Sequence, residues 1–434
     1  MLIEFSVANF RSIGARQTVS LVASPDTAHP RNVIAESGEG LRLLRSAAIY
    51  GPNAAGKSNL GRALKTLVTL VQLSATGLQE GQPLPVTPFL LSETAAKGPS
   101  EFEILFIADD GVRYQYGCAV DAERVHKEWL VAYPHGRRQR WFERVFVADS
   151  KSYDWWFGSH FRAERARRRL WQDSTRANAL FLSTAIQLNN EQLRPVFTWL
   201  TQKLIVLLPG SGVNFNPFLS LSLLREASGQ EKIMQYMQAA DIGIDRLELV
   251  EEERPSAPPV ALLPGGLQLQ LAIANPAGVA PQPPLKQLRV RAWHKRVDSG
   301  GEVALDLSDE SDGTRKLFEF AGGWLRALEW GAALFVDELD LSLHPHMTRF
   351  LVGLFHGRAN DKNSQLVFTT HDTTLLDTDV MRRDQIWFVE KDKQSASHFY
   401  SLLEYSPRKE EALERGYLKG RYGAIPFIGP LGAR

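Results

Sequence analysis

The opening LIEFSVANF alternates apolar and polar side chains, the period of a strand buried on one face. QTVSLVAS repeats the pattern a few residues later. Between Pro88 and Ala148 the alternation becomes a meander. EFEILFIA, VRYQYGCAV, KEWLVAY and RWFERVFVA read as strands, parted by turn signals such as DDG and HG. An antiparallel β-subdomain is the expected product. Ile49 to Leu73 reads differently, as an apolar strand, a glycine-rich turn and a helix. Residues 160–245 are mostly helical in pattern, most clearly in HFRAERARRRLWQD, NEQLRPVFTWLTQKL and EKIMQYMQAADIG. A stretch rich in Pro and Gly follows from Glu253 to Pro284, expected to form a loop or hairpin excursion. After the strand QLRVRAWHK the pattern turns α/β. It gives a helix from about Thr314 to Glu329, a strand ALFVDE, a helix from about Pro345 to Arg358, a strand QLVFTTH, a short helix and a strand QIWFVEKD.

These elements predict an α/β fold with an antiparallel β-subdomain and a helical insertion. The expected lobes are 1–150, with the glycine-rich turn and the β-subdomain, and 301–434, with residues 151–300 as the insertion. No internal repeat and no sustained heptad is present, so no long coiled coil is expected.

Composition narrows this little. The chain has 434 residues, 44% hydrophobic and 23% charged, as folded proteins do. Fifty basic residues against 49 acidic ones argue against a globally basic nucleic-acid binder, though not against a local patch. Cys118 is the single cysteine, which rules out an internal disulfide and fits a cytoplasmic setting. No signal-peptide pattern and no run of about 18 apolar residues stands out, so no membrane span is expected.

The chemistry sits in three places. GPNAAGKS fits the pattern G-x-x-x-x-G-K-[ST], with Gly51, Gly56, Lys57 and Ser58 in the fixed places. Such a loop wraps backbone N–H groups around phosphate oxygens, and the following helix adds its positive end. The candidate phosphate-binding run is Gly51, Pro52, Asn53, Ala54, Ala55, Gly56, Lys57, Ser58 and Asn59. Lys57 would bridge the β- and γ-phosphates of a bound nucleotide, and Ser58 would ligate Mg²⁺. A chance match in an ordinary turn is the alternative. ALFVDELD delivers Asp337 and Glu338 at the tip of an apolar strand, for metal binding and general-base work respectively. A strand running into a polar turn would read the same way. His371 follows the apolar strand QLVFTT, either as a γ-phosphate contact or as a surface cap of the next helix.

Together these residues resemble the layout of ABC-type ATPases. LSDESDGTRKL is similar to their signature motif through Ser311 and Gly313, with Asp312 where many transporters have glycine, and a plain helix cap fits it too. ELDLSLHP resembles the D-loop, with Asp340 as its acid. VANFRSI looks like the opening of RecF, SMC and Rad-type ATPases, in which Arg11 would reach nucleotide phosphates; pairing with a surface acid is the alternative. IEFSVANFRSIGARQTVSLVAS, LFLSTAIQLNNEQLRPVFTWL and YLKGRYGAIPFIG resemble the stand-alone "AAA fifteen" or RloA-like ATPases, relatives of defence ATPases such as AriA of PARIS and PtuA. The resemblance implies an ATP- and Mg²⁺-dependent ATPase that pairs head-to-tail. In that pairing Ser311 and Gly313 of one copy cap the nucleotide of the other. It implies a glutamine that ligates the metal; no motif fixes its position, and Gln187, in STAIQLNN at the entry to the helical region, is the candidate. It also implies a separate effector, a nuclease, as partner in anti-phage defence. A RecF-like DNA-repair protein, a low-turnover scaffold and, more distantly, a transporter ATPase are the competing readings.

Two further features stay open. The run FRAERARRRLW, with Arg162, Arg165, Arg167, Arg168 and Arg169 beside Trp155, Trp156 and Trp171, suits nucleic acid, a protein contact or a solvated face. His344 and His346 form an H-x-H without nearby cysteines, a weak metal signal.

Overall fold

The computed structural model describes residues 1–35, 40–208, 218–240, 242–254, 261–262, 268–269, 285–405 and 412–426. Two units emerge: Met1–Phe215 with Gly323–Arg434, and Asn216–Gly322.

The first unit begins with β1 (Leu2–Ala8) and β2 (Gln17–Ser20), then an antiparallel pair of two-residue strands, β3 (Val33–Ile34) and β4 (Leu43–Leu44). Next come β5 (Ser46–Tyr50), α1 (Lys57–Leu73) and the short α2 (Glu93–Ala96). The meander is β6 (Ser100–Ile107), β7 (Arg113–Val120), β8 (Val125–Tyr133), β9 (Gln139–Val147) and β10 (Ser152–Phe157). Helices α3 (Arg165–Ser174), α4 (Phe181–Gln187) and α5 (Arg194–Thr198) lead to β11 (Leu204–Leu207). The second unit holds α6 (Phe218–Leu224), α7 (Ala227–Ala239), β12 (Arg246–Arg254), a minimal pair β13 (Ala261–Leu262) and β14 (Gln268–Leu269), β15 (Leu285–Lys295) and β16 (Glu302–Asp306). Helix α8 (Asp312–Trp330) crosses the boundary between the units. The first unit then closes with β17 (Ala333–Val336), α9 (Pro345–His356), β18 (Gln365–Thr369), β19 (Ile386–Lys391), β20 (Ser397–Ser401) and α10 (Leu413–Leu418).

Two sheets organise the first unit. One is antiparallel, in the order β10-β9-β8-β7-β6-β1-β2. Its strands alternate as their sequence does: in β6, Phe102, Ile104 and Phe106 are buried, while Glu101 and Glu103 face out and pair with Arg16. The other has the order β11-β17-β18-β5-β19-β20, parallel except for β20. Strands β5, β17 and β18 are buried at every position, as parallel strands covered on both faces are. Helix α1 shares one hydrophobic core with both sheets through Leu60, Ala63, Leu64, Leu67, Val68 and Val71. A Cβ at Gly61 would stand 2.3 Å from the Phe335 ring, so the glycine sets how closely α1 crosses β17. Gln365 ties the two sheets: it donates to Leu2 O and Leu44 O and accepts from Leu2 N.

The insertion does not begin at 151, as the sequence pattern suggests. β10 pairs with β9 along its whole length, and Ser183 of α4 donates to Val71 O of α1, so residues 152–203 belong to the first unit. Nor does it end at 300, because the second unit runs into α8. Its three-stranded sheet, β12-β15-β16, includes RLELVEEER and EVALD, strands not expected from the sequence. Most of the stretch 253–284 lies outside the described residues. Among the described residues no helix is long and apolar enough to cross a membrane.

Candidate nucleotide site

Parallel pairing aligns three strand ends. Tyr50 of β5 is level with Phe388, Thr369 of β18 with Ile49, and Val336 of β17 with Phe368. Gly51, Asp337 and His371 therefore leave the sheet along one edge, the carboxyl edge at which open parallel sheets bind ligands. Strand β18 lies between the strand that feeds the glycine-rich loop and the one that feeds the acids.

The loop needs its glycines for two reasons. Gly56 has φ 109°, in the left-handed region, and a Cβ there would stand 2.0 Å from Ser397 Oγ and 2.7 Å from Ser12 Oγ. A Cβ at Gly51 would stand 2.3 Å from Val389 O. Ala54 also has positive φ, 64°, and with Asn53 forms the exposed tip, while Ala55 is buried. Lys57 is the first residue of α1 and only 6% exposed. Its Nζ donates to Gly51 O (2.8 Å) and Pro52 O (3.2 Å) and lies 2.9 Å from His371 Nε2. Burial lowers the Lys57 pKa, against the charges of Asp337, Glu338 and Asp340. Burial and then the Lys57 charge lower that of His371, so a neutral imidazole accepting at Nε2 fits the contact. Ser58 and Asn59 follow on the first turn of α1.

The acids sit on a tight turn. Asp337 is 3% exposed and accepts a 2.6 Å bond from Thr369 Oγ1. Glu338 has φ 52°, a strained value for a residue with a side chain, and its N–H donates to the same hydroxyl. Among the described residues nothing hydrogen-bonds the Glu338 carboxylate. Asp340 accepts from His371 N at 3.1 Å through both oxygens. One edge thus gathers a cation, three carboxylates and an imidazole around the phosphate loop. Asp337 with the Ser58 hydroxyl is an all-oxygen pair of the type that holds Mg²⁺ when phosphate and water oxygens complete the shell.

Behind the loop lies a clasp that sequence reasoning missed. Ser397 of β20 donates to Ala55 O (2.6 Å), lies 2.7 Å from Ser12 Oγ, and its N–H donates to Ser12 O. Asn59 Nδ2 donates to Ser12 Oγ, and Arg62 donates to Asn59 Oδ1. Arg11, adjacent to Ser12, has φ 51° and a pKa lowered by burial and then by Arg62. Its guanidinium lies over Phe10, and among the described residues no carboxylate pairs with it. NFRS is the only signal for Ser12; nothing in the sequence marks Ser397, 385 positions away.

Gln187 is a correction. Leu180 N donates to Ser74 Oγ and Ser183 Oγ to Val71 O, so α4 is anchored about 20 Å along α1 from Lys57. Gln187 is exposed at the end of that helix, and the structure does not bring it to the phosphate loop. The strand beside the acid turn is instead β11, whose Leu207 O accepts from Asp337 N. Ser311 and Gly313 lie at the start of α8 in the second unit, where Ser311 Oγ accepts from Thr314 N as a helix cap does. His344 likewise caps α9, its Nδ1 accepting from His346 N.

Strand order, phosphate loop and acid turn on one edge make this an α/β P-loop fold, with no long coiled coil among the described residues. Solved structures to which the chain is similar include an SMC head bound to the C-terminal winged-helix domain of ScpA, at 14% identity over 92% of this chain and 97% of that one, TM-score 0.42. Another is the SMC head domain with a coiled coil and joint from Pyrococcus yayanosii, at 10% identity over 96% and 99%, TM-score 0.43. The recombination mediator RecF gives 12% over 92% and 98%, TM-score 0.35. No curated protein matches the sequence. Residues 46–179 and 280–377, more than half of the chain, match one sequence family, and the protein belongs to it: "AAA domain, putative AbiEii toxin, Type IV TA system".

Proposed function

We propose that the chain binds ATP with Mg²⁺ and hydrolyses it, and that its nucleotide state controls a partner effector, a nuclease, in defence against phage. The observation that carries the enzymatic part is the meeting of Lys57, Asp337, Glu338, Asp340 and His371 at one sheet edge. Lys57 would leave its loop carbonyls for β- and γ-phosphate oxygens. Ser58 and Asp337 would hold the metal, which when bound neutralises phosphate charge. Glu338, whose carboxylate is uncommitted, would orient the attacking water and take its proton. His371, released from Lys57, would donate to the γ-phosphate. The family description, with its toxin and toxin–antitoxin terms, and the resemblance to "AAA fifteen" or RloA-like ATPases support the defence setting.

The site is completed, on this reading, by a second copy, whose Ser311 and Gly313 cap the γ-phosphate at the positive start of α8. Glu338→Gln should then sediment as a dimer with ATP and Mg²⁺ and as a monomer with ADP. A monomer under both conditions would remove the composite site. A RecF-like reading is favoured by one feature: Arg162, Arg165 and Arg167 are exposed with no carboxylate partner among the described residues. ATP-dependent DNA binding by the purified chain alone, weakening steeply with salt, would support it.

A further inference from the structure

Thr369 ends β18 and is completely buried. Its hydroxyl donates to Asp337 Oδ1 at 2.6 Å and accepts from Glu338 N at 2.7 Å. Its carbonyl accepts from Leu339 N at 3.0 Å. A hydroxyl has one proton, and here Asp337 takes it, so the direction of both bonds is set. One residue therefore grips three consecutive positions of the acid turn. The middle one, Glu338, holds a left-handed backbone that persists only where its surroundings enforce it. Two residues further along, His371 N bonds Asp340, and the His371 ring meets Lys57. The end of β18 is thus the piece of chain that touches both the acid turn and the phosphate-loop lysine.

We propose that Thr369 is a positioning residue for the reaction. It orients the Asp337 carboxylate toward the metal side and holds the Glu338 backbone so that its carboxylate stays free. It also links both acids to the strand that carries His371. Thr369 itself touches neither nucleotide nor metal. The inference rests on the Mg²⁺-ATPase reading, and it adds a residue that no motif marks.

Thr369→Val keeps the shape and removes the hydroxyl; Thr369→Ser keeps the hydroxyl and removes the methyl. The full chain is compared in three measurements: the Mg²⁺ concentration that half-saturates binding of a fluorescent ATP analogue, the kcat and KM for ATP, and the denaturant midpoint. We expect Thr369→Ser to stay within about threefold of wild type throughout. Thr369→Val should keep KM within about threefold, lose about tenfold or more in kcat, and need about threefold or more Mg²⁺. Should the valine variant not fold, Thr369→Cys, with a weaker donor of similar size, makes the same comparison with serine. Wild-type kcat and Mg²⁺ dependence in the variant lacking the hydroxyl would overturn the proposal. Losses equal in Ser and Val that follow the denaturant midpoint would overturn it too, by reducing Thr369 to a packing residue. A wild-type chain that neither binds nor hydrolyses ATP would defeat the ATPase reading itself, and this inference with it.

Discussion

Glu128 and Glu338 carry the same side chain in the same unit and are treated in opposite ways. Glu128, on β8, is fully buried and completely engaged. Its Oε1 accepts from Tyr116 OH and Leu182 N, and its Oε2 from Phe181 N, with Arg144 Nε 3.1 Å away. Glu338, past the end of β17, has its backbone pinned by Thr369 while its carboxylate has no hydrogen-bond partner among the described residues. A carboxylate that accepts three hydrogen bonds and faces a buried guanidinium is a structural joint, here fastening the start of α4 to the antiparallel sheet. A carboxylate whose backbone is fixed and whose oxygens are free is available to a ligand. The antiparallel sheet has spent its acid on folding, and the parallel sheet has kept its own open.

The contrast can be broken most forcefully at Glu128. Glu128→Ala strands Arg144 in the core without its partner, and we expect a loss of about 3–5 kcal/mol of stability in denaturant unfolding. ATP turnover per folded molecule should be unchanged. A selective loss of turnover without destabilisation would make Glu128 functional and dissolve the distinction.

His356, the last residue of α9, extends the contrast to the parallel sheet's own contacts, because it too is engaged, against Ser46 of β5. It sits 2.8 Å from Ser46 Oγ, and burial, with smaller contributions from the charges of Arg45 and His29, lowers its pKa to about 4. The unfolded chain protonates this histidine near its ordinary 6.5. Between those values the unfolded state binds more protons, so stability is full above pH 6.5 and falls as pH drops toward 4. The expected loss is roughly 3 kcal/mol. His356→Gln should flatten that limb of the stability–pH curve; an unchanged slope would assign it elsewhere.

Reading the placement of these residues from the sequence works where a motif is local. GPNAAGKS, ALFVDELD and QLVFTTHD each carry their chemistry within eight residues, and the sheet edge unites them because each follows a buried apolar strand. The meander EFEILFIA to RWFERVFVA is legible because alternation reports one buried face. What stays illegible is partnership across distance. Ser12 and Ser397 are unremarkable serines until β20 brings them together behind Gly56. LIVL follows the helical turns of Trp199–Lys203 without a break signal, so the pattern of residues 160–245 does not show it as a strand, yet it forms β11 beside the acid turn. Gln187 looked suitable by type and by its place before the helical region, but α4 is fastened to the remote end of α1.

The smallest expected effect lies at that clasp. Ser397→Ala removes a bond to Ala55 O and the contact with Ser12 while leaving the acids and Lys57 in place. We expect ATP affinity to weaken about fivefold, near 1 kcal/mol, in equilibrium titration. An unchanged affinity would show that Gly56 and its neighbours hold the loop without it.

The open acid is tested most directly by single-turnover hydrolysis of radiolabelled ATP with Mg²⁺, comparing wild type with Glu338→Gln. The account predicts that the variant binds ATP and holds it intact, with cleavage slower by about a hundredfold or more. Cleavage at the wild-type rate would contradict it, because the carboxylate that has no hydrogen-bond partner among the described residues would then have no part in the chemistry.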